Sequence, residues 1–112
     1  MSKAAYWQRG ESLDYKNTGT EKIEANSIIV LGSRIGVAGM DIAPGATEPG
    51  SLHVVGVFSF PKAGEAIEAG AEVFYSEADG NITATASGNI RAGFAVESAE
   101  ASADKILVKI NA

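Results

Sequence analysis

Ile90-Arg91-Ala92-Gly93-Phe94-Ala95-Val96-Glu97 is the stretch that decides the fold class. In an extended chain Ile90, Ala92, Phe94 and Val96 face one way, and Arg91, Gly93, Ala95 and Glu97 the other. A period of two is the mark of a half-buried β-strand. Lys105 to Ile110 behaves the same way, with Ile106, Val108 and Ile110 alternating against Lys105, Leu107 and Lys109.

Working outward, thirteen glycines fall between short runs rich in Val, Ile, Phe and Thr, the pattern of an all-β chain of short strands. Ile28 to Leu31 stops at Gly32 and resumes at Ile35, Val37 and Ala38, which predicts two strands around a tight turn. Val73 to Ser76 and Ile82 to Ala86 flank Asp79-Gly80, a dipeptide whose tolerance of positive φ suits a hairpin. Pro44-Gly45 and Pro49-Gly50 punctuate a loop. Beyond it Leu52, Val54, Phe58 and Phe60 alternate, while Val55 and Val57 make the opposite face apolar too; this predicts one central strand covered on both sides. Only Gly64 to Ala69 and Glu97 to Ala103 have helical potential, and each is too short to stand without packing.

The two halves of the chain resemble each other. Ile23-Glu24-Ala25-Asn26 followed by Ile29-Val30-Leu31 parallels Ile67-Glu68-Ala69-Gly70 followed by Val73-Phe74-Tyr75. Gly36-Val37-Ala38 parallels Gly93-Phe94-Ala95, and the strand from Leu52 parallels the final one from Ile106. Each half would be a few strands that cannot close a core alone. The expectation is a single all-β domain over residues 1–112, a β-barrel or jelly-roll-like two-sheet sandwich built from an internal repeat. Residues 1–11 form a partly extended N-terminal arm.

Composition narrows the function. With no cysteine, disulfides and thiolate metal sites are excluded. Fourteen acidic residues against nine basic ones give a net charge of −5, which repels phosphate backbones and anionic lipid. Nucleic acid and membranes are therefore not expected partners. Met1 to Tyr6 lacks the apolar core of a signal peptide, and the reading is a soluble product made in the cytoplasm.

Chemistry is sparse. His53 is the one histidine, so multi-histidine metal sites are excluded and any triad has one possible imidazole. It lies in a strand between Leu52 and Val54, where an edge or interface role explains it. Asp41, Glu48, Glu65, Glu68 and Glu72 stand beside glycine and alanine in expected surface turns, with no calcium-loop spacing among them. Gly32, Gly36 and Gly39 lack the helix and lysine of a phosphate loop. No catalysis and no cofactor are expected. Lys3, Arg9 and Lys16 lie near Tyr6, Trp7 and Tyr15, but Glu11 and Asp14 interrupt a nucleic-acid patch. Large aromatics in a polar arm are anchors, either to the chain's own core or to a partner. The candidate partner-binding residues are Tyr6, Trp7, Arg9 and Tyr15.

With these residues in view, the chain resembles the phage capsid decoration, or cement, proteins, small virion proteins often labelled recombinases. The resemblance runs over nearly the whole chain. It includes Tyr6-x-Gln8-x-Gly10-Glu11, Leu13-Asp14-Tyr15, Ile35-Gly36-Val37-Ala38 with Asp41-Ile42-Ala43, and Val54-Val55-Gly56-Val57-Phe58. It continues through Phe60-Pro61-Lys62-Ala63, Gly70-Ala71, Val73-x-Tyr75, Gly88-Asn89 and Ala92-Gly93 to Asn111. Each motif is a short turn-and-strand signature; their order and spacing carry the likeness. It implies a β-rich homodimer or homotrimer on the outer surface of a bacteriophage capsid, bound to the major capsid protein. The recombinase label fails on physical grounds, because ATP-driven strand exchange requires a phosphate-binding loop that the chain lacks. A second reading, from another class, is a small β-barrel ligand- or carbohydrate-binding module of a phage particle.

Overall fold

Turn chemistry sets the strand boundaries of the computed structural model, which describes residues 1–45 and 48–112. Gly32, at φ 63°, closes the turn between β2 (Ile28–Leu31) and β3 (Arg34–Ala38). Gly80, at φ 70°, ends the turn between β6 (Glu72–Ser76) and β7 (Asn81–Thr83). The remaining strands are β1 (Ser12–Tyr15), β4 (Gly50–His53), β5 (Val57–Pro61), β8 (Ile90–Ala95) and β9 (Lys105–Ile110). They form two antiparallel sheets, one in the order β1-β4-β3-β2 and the other β5-β9-β8-β6-β7. The sheets are not closed on each other, so of the two expected architectures the sandwich is the one formed and the barrel is not.

The sheet orders reveal the repeat. With the short β7 set aside, the second order is the first with β5, β6, β8 and β9 in place of β1, β2, β3 and β4. Backbone hydrogen bonds outside the strands repeat as well. Asn26 N–H donates to Ala38 O at 2.7 Å, and Gly70 N–H to Ala95 O at 2.7 Å. Ile23 and Ile42 exchange two backbone bonds, as do Ile67 and Ala99. Gly39 N–H donates to Ser51 O, and Val96 N–H to Leu107 O. Asn26 and Gly70 both sit in the left-handed region, at φ 71° and 84°; Asn and Gly are the residues that enter it at least cost.

Ile35 and Val37 of β3 join Phe60, Val73, Ile82, Ala92, Ala95, Ile106, Val108 and Ile110 in the main core, where β3 packs on β8. The opposite face of the smaller sheet buries a second group. Leu52 pairs in register with Ala38, so it projects away from Val37. It covers Gly36, where a Cβ would stand 2.7 Å from Leu52 Cγ.

Three sequence expectations are corrected. Leu52 to Phe60 is not one central strand: β4 ends at His53, β5 begins at Val57 and they belong to different sheets. Gly56 at φ 129° redirects the chain between them, and Val55 and Val57 are half exposed instead of covering a second face. Neither short helix forms. Residues 64–69 and 97–103 are turns drawn together by the Ile67–Ala99 bridge, because burying Ile67 and pairing two backbones outweighs an isolated helical turn. The strand expected to reach Ala86 ends at Thr83.

Candidate functional site

The backbone bond from Val54 N–H to Glu11 O, 3.0 Å long, ties down the start of the first sheet. Before it, residues 1–9 form no strand and are exposed throughout. Tyr6 and Trp7 keep 84% and 88% of their surface in solvent. Of the two anchoring roles open to them, packing on the chain's own core is therefore absent. Lys3 and Arg9 make the arm basic, with no carboxylate before Glu11, and Arg9 forms no ion pair among the described residues. Tyr15 is not part of this group. It is half-buried on β1, opposite Gly50.

His53 has no catalytic setting among the described residues. Its Nδ1 lies 3.0 Å from Ser12 Oγ on the adjacent strand, and its ring packs on Phe58 at 5.9 Å between centroids. No described carboxylate hydrogen-bonds to it, so nothing there polarises a nucleophile.

The acidic residues are tied into turns. Glu65 Oε1 accepts from Thr83 Oγ1 at 2.6 Å and from Ala84 N–H at 2.7 Å. These two bonds hold its carboxyl below the usual range, because both favour the charged form. Asp41 Oδ1 accepts from Ala25 N–H at 2.8 Å, and that bond, aided by Lys22, lowers its pKa in the same way. Burial, with Glu77 nearby, pushes the Tyr75 phenol up. Each of these shifts has a structural cause; Asp41 alone lines a surface cleft, which it shares with Glu48, and its carboxylate is already engaged there by Ala25 N–H and Lys22.

Sequence reasoning missed one surface. Val57 and Leu107 project from β5 and β9 on the face that also carries Lys105 and Lys109, all four exposed. The alternation of Lys105 to Ile110 contained the signal, since it places Leu107 on the polar side.

A family profile described as phage cement protein matches residues 7–110. Comparison with curated proteins and with solved structures gave no match. The matched span begins at Trp7 and ends with the last residue of β9, leaving out Tyr6 and the residues before it. That span takes in every described strand, and the chain accordingly belongs to the phage cement protein family, a structural and non-enzymatic component of the virion that stabilises the capsid.

Proposed function

We propose that the chain assembles as a homodimer or homotrimer and grips the major capsid protein through its N-terminal arm. Tyr6, Trp7 and Arg9 make the grip, and Tyr15 supports the strand from which the arm departs. The observation that carries this reading is the exposure of Tyr6 and Trp7, at 84% and 88%, on an arm that makes no use of them within the chain. Aromatic and arginine side chains of this kind are the usual anchors of protein interfaces. A subunit assembly carrying two or three arms gains avidity, because later contacts form at high effective concentration. Modest affinity per arm then suffices to resist capsid expansion.

Deleting residues 2–9 tests the reading. The truncated chain keeps its fold and its oligomeric mass, since residues 1–9 contribute no strand, and it loses its place on capsids. Unchanged capsid occupancy would refute the proposal.

A further inference from the structure

The internal repeat supplies its own control for the exposed face of the larger sheet. Val57 pairs with Lys109 and Ser59 with Leu107; in the first repeat the matching pairs are Ser12 with His53 and Asp14 with Ser51. The first repeat thus carries half-buried serines on its Val37 face, whereas at the same register positions the second carries Val57 and Leu107, 51% and 36% exposed. Val96, hydrogen-bonded to Leu107, adds to the same apolar strip at 39% exposure.

Charge sets this face apart from the remainder of the molecule. Strands β5, β8 and β9 contain Arg91, Lys105 and Lys109 and no carboxylate, so with a net charge of −5 the rest of the chain carries −8. Arg91 is paired with Glu72 at 3.4 Å, whereas Lys105 and Lys109 form no ion pair among the described residues. The complement lies on the two loops joined by the Ile67–Ala99 bridge. There Glu68, Glu97, Glu100 and Asp104 are all exposed, and neither 63–72 nor 96–104 contains a basic residue.

From this we infer that the β5-β9-β8 face of one copy docks on the acidic loops of a second copy, Val57 and Leu107 forming the apolar centre and Lys105 and Lys109 the charged rim. The acidic loops border this face within each copy, Glu97 lining one surface cavity with Lys105 and Leu107, so the two form one self-complementary surface of the kind that a two-fold dimer pairs isologously. The inference rests on the proposed self-assembly and names the surfaces that perform it. It leaves the arm free for the capsid.

Sedimentation velocity on the full chain, with capsid occupancy read in parallel, tests it. Val57→Ser with Leu107→Ser, the residues the first repeat uses, leaves the β-sheet circular-dichroism spectrum unchanged but shifts the mass to monomer. Lys105→Glu with Lys109→Glu gives monomer, as does Glu97→Lys with Glu100→Lys. All four charge substitutions in one chain restore the oligomer, and the restored species dissociates at about 1 M salt, where the screening length is about 3 Å. A lysine-reversed chain that keeps its oligomeric mass overturns the inference. If that chain instead loses only capsid occupancy, the face belongs to the capsid, and the inference falls while the cement role stands. A wild-type chain that is monomeric at every salt concentration overturns it too, without touching the arm-deletion result.

Discussion

Asn17 and Lys62 occupy the same place in the two repeats, each just beyond the first strand of its half, and each is a buried polar side chain that holds a loop by its backbone carbonyls. Asn17 Nδ2 donates to Glu21 O at 2.7 Å and Ile42 O at 3.1 Å. Lys62 Nζ donates to Ala63 O and Glu65 O, both at 2.7 Å. Two different side chains thus solve one problem, that of loop carbonyls turned inward away from water. Asn17→Ala leaves both of its carbonyls without that donor and should lower stability by about 1–3 kcal/mol in urea unfolding. Lys62→Met should cost a similar amount, and the double variant should be close to additive because the two locks lie in separate halves.

Gly93 is the position where the fold tolerates a side chain least. Its φ is 146°, and a Cβ there would overlap the Lys109 carbonyl on the neighbouring strand. Gly93→Ala must therefore part β8 from β9 in the middle of the larger sheet, and a loss of about 3 kcal/mol or more is expected. The equivalent Gly36→Ala meets only the Leu52 side chain, and a rotamer change limits its cost to about 1–3 kcal/mol. Thermal unfolding of the two variants should rank them in that order.

Much of this architecture is legible in the residues. Alternation locates β8 and β9, Gly32 and Asp79-Gly80 mark two turns, and the likeness of Ile23-Glu24-Ala25-Asn26 to Ile67-Glu68-Ala69-Gly70 reappears as one shared set of backbone bonds. The break between β4 and β5 escapes notice because Leu52 to Phe60 is apolar on both faces, as a buried central strand would be. Gly56 was the available clue. Asn17 and Lys62 are illegible for a different reason. Burial of a polar loop residue depends on where distant carbonyls point, and no local pattern records that.

Trp7→Ala separates attachment from folding. With 88% of its surface already in water, the indole contributes little to the folded chain, so stability should change by no more than about 0.5 kcal/mol. Capsid occupancy in a competition with wild-type protein should fall. Tyr15→Ala should behave oppositely in part, because Tyr15 is half-buried on β1. Its loss registers in thermal unfolding as well as in binding.

Acid should loosen the loop that Glu65 fastens. Thr83 Oγ1 and Ala84 N–H both donate to its carboxylate, so its folded pKa lies below the ordinary glutamate value. For a depressed carboxylate the unfolded chain binds the proton more readily. The stabilising contribution is therefore complete above the unfolded value of about 4.3 and is lost as pH falls through the lower folded value. Glu65→Gln keeps an oxygen to accept the same two bonds but cannot titrate. Unfolding midpoints measured from neutral pH down to about 3 should fall less steeply for this variant than for wild type, with the two curves separating only below about 4.3. The residual acid slope of the variant then reports carboxylates such as Asp41, whose bond from Ala25 N–H depresses its pKa in the same direction. Parallel curves across the whole range would show that the two donors do not favour the ionised form of Glu65 in the folded chain.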